Sequence, residues 1–372
     1  MKNHTSKIII SLITLAVAFI TGREFRAQHT PELIVSGPGV TEVRMLSEWY
    51  PGLKGTGGDT EVYILRGEEP GGSILVLGGI HPSEPASLVS AVLLIENARP
   101  VKGTLYVIPR SNRSGFTHTS PQEGHPSLYS FQRPDGSSRQ FRFGSRLANP
   151  LDQWPDPDIH VHYPTGQRRS GAETRNLNRG FPGRAGGTFT ERIAYGITQL
   201  IRAEEITMTI DIHEASPEYP VTNAMVIHGR AMSLAANVVL GLEMQDVTIA
   251  LEPSPVNLRG LTHRELGDNT NTLAVLLESA NPAQGRLRGR TDEALVLKGQ
   301  CHYYVRAAGL GRLFVPFDET GHPMEDRVGR HMAAIAEFAY VLSMLHPEYE
   351  IIIEGIPEHH DLLEKGIGAF LL

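Results

Sequence analysis

The sequence predicts an open α/β fold built on a largely parallel sheet flanked by helices, and three observations support it. Six short runs rich in β-branched and aliphatic residues, TEVYIL, SILVLGG, GTLYVIP, ITMTIDI, AMVI and TLAVLL, occur from about residue 58 onward. They alternate with longer stretches of helical periodicity, the pattern of strands covered on both faces and joined by crossover helices. The chain has 372 residues, 40% of them hydrophobic, enough for one large domain or two ordinary ones with a substantial core.

Each element has its own local warrant. The segment after Pro85, ASLVSAVLLIENA, is apolar nearly all round, as a buried helix is. Thr188 and Glu191 form a capping box ahead of a helix whose apolar face is Ile193, Ile197, Leu200 and Ile201. Val328, Met332, Ile335, Ala339 and Leu342 mark a further helix near the C-terminus. Residues 110–181 break the rhythm: they are rich in Gly, Pro, Ser, Arg and His and hold no hydrophobic period. Loops this long are uncommon inside a compact domain and tend to be functional, so this excursion is expected to cross an active-site face. The expected organisation is a main domain over 58–347 containing the excursion, an N-terminal extension over 28–57 and a C-terminal tail over 348–372.

At the N-terminus, Lys2 and Lys7 precede fifteen uncharged residues, Ile8 to Gly22. That falls short of the ~20 needed to span a bilayer but fits the apolar region of an export signal. Residues 1–27 therefore read as a signal peptide, which makes the protein exported, periplasmic or secreted. Phe25-Arg26-Ala27 puts a large residue where cleavage prefers a small one, so a retained membrane anchor is the alternative.

Composition narrows the chemistry. A net charge of −7 gives no global attraction to nucleic acid, and the only membrane contact expected is through an uncleaved N-terminal segment. With Cys301 as the single cysteine there is no disulfide within the chain, no Cys-rich zinc site and no iron–sulfur cluster. A bound metal must use carboxylates and some of the 16 His.

Three predicted strands end in reactive residues: SILVLGGI runs into His81 and Glu84, MTIDI into His213, and TLAVLL into Glu278. Ligands of open α/β sheets bind outside the carboxyl ends of the strands, so these side chains are expected to share one crevice. With His81 in the strand-to-helix loop and Pro85 in the first helical turn, His81 and Glu84 can face one point. One more distant His would complete His₂Glu, the donor set of an open catalytic zinc site. In NLNRGFPG, Asn178 and Arg179 pair a carboxamide with a guanidinium fork suited to a substrate carboxylate.

Taken in order, GGIHPSEPA, NLNRGFPG, TIDIHEA and VLLES resemble the succinylglutamate desuccinylase/aspartoacylase branch of the zinc carboxypeptidase superfamily, over roughly residues 60 to 345. The resemblance implies a central mixed sheet of about eight strands between helices and one Zn²⁺ held by His81, Glu84 and His213. It further implies Asn178 and Arg179 as the grip on the substrate carboxylate and Glu278 as the general base. An additional arginine that polarises the scissile carbonyl is expected upstream of the Asn-Arg pair. Arg168, Arg169 and Arg175 are the candidates, with Arg110 and Arg113 further back. Only about twenty-five residues remain after the last expected helix, too few for the C-terminal β-domain of aspartoacylases.

The implied activity is metal-assisted hydrolysis of an amide or an ester bond in a carboxylate-bearing small molecule or short peptide. An N-acyl amino acid deacylase and a carboxypeptidase acting on peptides or cell-envelope peptides compete within this class. A non-catalytic zinc or ligand-binding protein on the same fold is the reading from outside it. Serine hydrolysis and nucleotide binding lack their motifs: the chain has no G-x-S-x-G, no complete G-x-G-x-x-G and no G-x-x-x-x-G-K-[ST]. His160 and His162 read as part of a polar loop strand, His359 and His360 as a solvated tail, Tyr303 and Tyr304 as helix packing residues, and Cys301 as a buried helix thiol.

Overall fold

The structure is a computed structural model that describes residues 2–119 and 127–372, so residues 120–126 of the excursion lie outside the described residues. Its strands are β1 (Glu42–Met45), β2 (Glu61–Arg66), β3 (Glu69–Leu77), β4 (Arg99–Ile108), β5 (Leu128–Gln132), β6 (Ser138–Arg142), β7 (Ile159–Val161), β8 (Arg168–Ser170), β9 (Met208–Ala215), β10 (Ala224–Ile227), β11 (Ala250–Pro253), β12 (Leu273–Ala280) and β13 (Ile352–Glu354). The six expected strand runs fall in β2, β3, β4, β9, β10 and β12. The main sheet has the order β1-β2-β4-β3-β9-β12-β10-β11, with β13 added alongside the start of β4. Its centre, β4-β3-β9-β12, is parallel, and the flanking pairs β2–β4 and β10–β12 are antiparallel. This is the mixed, largely parallel α/β architecture expected from the strand runs.

The helices are α1 (Lys2–Ala27), which is exposed over His4–Ala27, and α2 (Pro85–Asn97), α3 (Phe189–Ala203), α4 (Met232–Glu243), α5 (Thr262–Asn269), α6 (Glu293–Lys298), α7 (His302–Gly309), α8 (Met324–Leu345) and α9 (His359–Lys365), and both faces of the sheet are covered. On one face Val89, Val92, Ile210, Ile212, Met332 and Phe338 join α2, α8 and the sheet in one core. On the other, Leu75 and Leu77 meet Ile193 and Ile197 of α3. Thr188 caps α3 through the backbone N–H of Glu191, and the Glu191 carboxylate accepts from the backbone N–H of Thr188 at 2.7 Å. Burying the apolar face of such a helix contributes roughly 1.5–3 kcal/mol per large aliphatic side chain.

Residues outside 58–347 also enter the fold. β1 pairs with β2 while Leu46 and Leu53 are buried, and after α8 the chain supplies β13, α9 and the buried Leu362, Ile367 and Leu371. His359 is therefore no solvated tail residue: its Nε2 lies 2.9 Å from the Asp326 carboxylate, although His360 stays exposed. The described part of the 110–181 excursion is not structureless, because it carries the hairpins β5–β6 and β7–β8. His160 and His162 lie on β7 and just beyond it, where His162 bonds the Phe181 carbonyl and the Thr165 hydroxyl. Tyr304 is buried and donates to Glu218, and Cys301 is half-buried.

Candidate metal centre

The four parallel strands end at Leu77, Ile108, Ala215 and Ala280, all at one edge of the sheet. There the chain leaves β3 through Gly79, whose φ of +62° and close approach to the Pro109 carbonyl and the Phe116 ring leave no room for a Cβ. That turn delivers His81. Glu84 comes next at the start of α2, with Pro85 as the first helical residue. On β9, Asp211 and His213 share one face by strand alternation, and Glu278 of β12 is the register partner of His213.

His81, Glu84 and His213 are buried, and each offers one ligand atom with all three within 4.8 Å of one another. Glu84 sits between the two rings, its Oε1 2.8 Å from His81 Nδ1 and its Oε2 2.8 Å from His213 Nδ1. The far nitrogens point outward: His81 Nε2 to Asn176 Oδ1 at 3.0 Å, His213 Nε2 to Asp211 Oδ2 at 2.8 Å. Rings that donate their Nε2 protons outward turn Nδ1 lone pairs toward a carboxylate, an arrangement that calls for a proton or a cation between them. Outward carbonyl or carboxylate partners are also what orients ligating imidazoles in metal sites. Two imidazoles and one carboxylate are the donor set of catalytic zinc centres, so the residues present fit the group.

The electrostatics arise from burial and these contacts. Burial lowers His81 to about 3, helped by the Arg146 cation. Burial opposes a charge on His213 too, but Asp211 and Glu84 outweigh it and hold that ring well above its ordinary value. Burial likewise opposes ionisation of Glu84 and is outweighed by the two imidazoles, so its carboxyl lies below the usual range. A metal held here has to displace the proton of His213.

A cleft of about 370 Å³ opens onto this cluster, lined among others by Asn178, Arg179, Tyr219, His263, Glu278 and Gln284. Glu278 Oε2 is buried with no hydrogen-bond partner among the described residues, and burial pushes this carboxyl up to about 8. Asn178 is buried, its Oδ1 accepting from the Thr262 backbone N–H at 3.0 Å. Arg179 lies beside it, 3.1 Å from Glu173, and burial together with the Arg146 cation lowers it to about 10.

The cleft arginine from the excursion is Arg146, whose Nη1 is 3.3 Å from Glu84 Oε1. None of the five sequence candidates takes that position. Arg175 pairs with Asp156 at 2.7 Å, Arg169 donates to Gln167, and Arg168 lies exposed on β8. Arg110 pairs with Glu32, and Arg113 donates to the Asp59 carbonyl. The i,i+2 spacing of Asp211 and His213 on a strand is a sequence signal for Asp211, whereas Arg146, Asn176, Tyr219 and His263 carry no local pattern. A larger groove of about 920 Å³ lies at the opposite end of the strands, lined by Tyr106, Glu204, Thr207, Arg230 and Tyr349. It contains no candidate metal-ligand cluster among the described residues.

No family model and no curated protein sequence matches the chain. Among solved structures it is similar to a metallo-carboxypeptidase from Burkholderia cenocepacia, with 13% identity and a TM-score of 0.46 over 83% of this chain and 66% of that one. It is also similar to a succinylglutamate desuccinylase from a Silicibacter species, at 15% identity and a TM-score of 0.37 over 70% and 63%. A third is the tripeptide-bound cell shape determinant Csd4 from Helicobacter pylori, at 13% identity and a TM-score of 0.47 over 82% and 60%. The chain thus spans less than two thirds of the length of each. A succinylglutamate desuccinylase/aspartoacylase from Rhodobacter sphaeroides is also among the similar structures, at 16% identity and a TM-score of 0.34 over 59% of this chain and 51% of that one.

Proposed function

We propose that the protein is a zinc-dependent hydrolase that cleaves an amide or ester bond of a carboxylate-bearing substrate, in the manner of an N-acyl amino acid deacylase. The observation that carries this reading is the convergence of His81, Glu84 and His213 within 4.8 Å at the foot of a cleft that also presents Glu278 and Arg179. Bound by those three side chains, one Zn²⁺ would supply Lewis-acid polarisation of the carbonyl and acidify water.

The chain's own residues do the rest. Arg179, beside Asn178, takes the substrate carboxylate and orients the scissile bond. Glu278 Oε2 accepts the proton of the attacking water and returns it to the leaving nitrogen or oxygen. A carboxyl that burial has raised to about 8 suits both halves of that exchange. Arg146 faces the oxygen on which negative charge develops. The cleft, at about 370 Å³, has room for a small N-acyl amino acid. Export by the N-terminal apolar segment belongs to the same reading.

The test is a hydrolysis screen over N-acyl amino acids and short peptides with the zinc-loaded chain. Glu278→Gln is expected to lower turnover by at least about 10²-fold, the lower range for general-base loss, with zinc stoichiometry unchanged. Full activity in that variant would remove Glu278 from the mechanism. Zinc retained with no hydrolysis anywhere in the panel would favour a binding protein, and preference for free peptide C-termini a carboxypeptidase.

A further inference from the structure

The N-terminal helix α1 lies outside the domain, and its apolar residues Ile8, Ile9, Ile10, Leu12, Ile13, Leu15, Val17, Phe19 and Ile20 are each more than half exposed. They occupy every side of the helix. A helix that docks into a protein groove shows one apolar stripe, whereas one apolar all round fits lipid. The candidate span His4–Ala27 covers 24 residues, about 36 Å at 1.5 Å per residue, and its uncharged stretch, Ile8 to Gly22, about 22 Å, against a hydrocarbon thickness of ~30 Å. Lys7 and Arg23 bound its uncharged stretch and are long enough to reach the headgroups.

Beyond the helix, the chain is clamped to the domain. The Arg142 guanidinium donates to the Ala27 carbonyl at 3.0 Å, closing the last turn of α1 against β6. Glu32 forms a buried ion pair with Arg110, just beyond β4, and accepts from the Arg142 backbone N–H. Arg139 holds the Leu33 carbonyl and Glu96 the Val35 N–H. No slack linker separates α1 from the sheet edge that carries the metal centre.

The same short run continues into that centre. Arg142 holds Ala27, Gly144 N–H donates to the Pro82 carbonyl, and Arg146 reaches Glu84. Four residues of extended chain span about 13 Å. Beside the base of the helix, His29 shares a cavity with Leu151. Leu151 and the nearby Trp154 are 84% and 71% exposed, an apolar and an aromatic side chain of the kinds that seat at a bilayer interface.

We propose that α1 is retained as a membrane anchor and that the clamp holds the cleft edge against the bilayer, with Leu151 and Trp154 in the interface. The partner is a lipid surface, and the cleft opens beside it. The anchor and its orientation stand independently of the hydrolase reading.

The experiment uses the full chain in phosphatidylcholine vesicles carrying dibrominated acyl chains, which quench tryptophan at the interface. Trp154 is read in Trp49→Phe, and Trp49, bonded to Glu204 at the far end of the strands, is read in Trp154→Phe. Both variants are first checked by circular dichroism and vesicle flotation. The expected result is flotation with residues 1–27 present by mass, at least twofold quenching of Trp154 and none of Trp49. Flotation with Trp154 unquenched, or with both tryptophans quenched alike, overturns the orientation. Membrane-derived protein lacking residues 1–27 overturns the anchor.

Discussion

Asp211→Asn isolates the group that orients His213. Asp211 Oδ2 accepts from His213 Nε2 at 2.8 Å and from Thr262 Oγ1 at 2.5 Å, while its Oδ1 is buried without a partner among the described residues. An asparagine can keep both bonds through its single oxygen and turn its NH₂ to the Oδ1 position, so shape survives and charge is lost. Removing such a partner from behind a ligating imidazole costs about 10–100-fold in metal affinity, or about 1.4–2.7 kcal/mol. A second effect has the opposite sign. Asp211, with Glu84, keeps the proton on His213 against the effect of burial, so its loss leaves the metal less to displace. In the native chain affinity therefore strengthens with pH, by up to about tenfold per unit while one proton is expelled. In the variant this dependence flattens, and the deficit is largest at high pH. Zn²⁺ titration against a chromophoric chelator across the neutral range reads both quantities. Equal affinity at every pH, or the same pH slope in the two proteins, would refute the assignment of Asp211.

Two further predictions concern stability. Arg327 Nη1 and Glu214 Oε1 are 2.7 Å apart with both side chains fully buried. Arg327→Met leaves the carboxylate without a counter-charge and is expected to cost about 3–5 kcal/mol in urea unfolding at neutral pH. Adding Glu214→Gln should recover most of the loss, and a cost under about 1 kcal/mol for the single variant would contradict the pairing. For Asp326, burial favours the neutral form but His359 and Arg330 outweigh it and hold the carboxyl at about 2. Since the unfolded chain titrates near ~3.9, this contributes about 2–3 kcal/mol that is complete above that pH and disappears as pH falls through about 2. Asp326→Asn should lose that amount at neutral pH, with the gap to native narrowing on acidification; a gap that stays constant would point to lost packing instead.

Much of the site is legible in the sequence. His81, Glu84, His213 and Glu278 each come after a β-branched run, and the rule that ligands gather at the carboxyl ends of parallel strands is enough to bring them together. Strand alternation also puts Asp211 on the face of His213, a relation spanning two residues. The ends of α3 were readable for the same reason, because a capping box is a bond between residues three apart. Arg146 was not readable. It lies in a polar segment without period, and what aims it at Glu84 is the path of its backbone, fixed where Gly144 bonds the Pro82 carbonyl sixty-two residues earlier in the chain. Arg168, Arg169 and Arg175 look equivalent to it in one dimension, yet Asp156 and Gln167 hold two of them elsewhere.

Residues 28–40 show the same division. Their sequence has neither period nor motif, and what joins the apolar helix to the metal-bearing edge is long-range bonding such as Glu32 meeting Arg110 across seventy-eight residues. By itself the sequence determined the elements and the reactive residues at their ends, since side-chain periodicity and capping act within a few residues. Tertiary structure decided which arginine faces the centre, which groups orient its imidazoles and where the N-terminal helix leaves the domain. Those placements depend on contacts made through the folded path of the chain, and where a buried charge takes part, as at Glu84, Asp211 and Glu32, leaving it unpaired would be too costly.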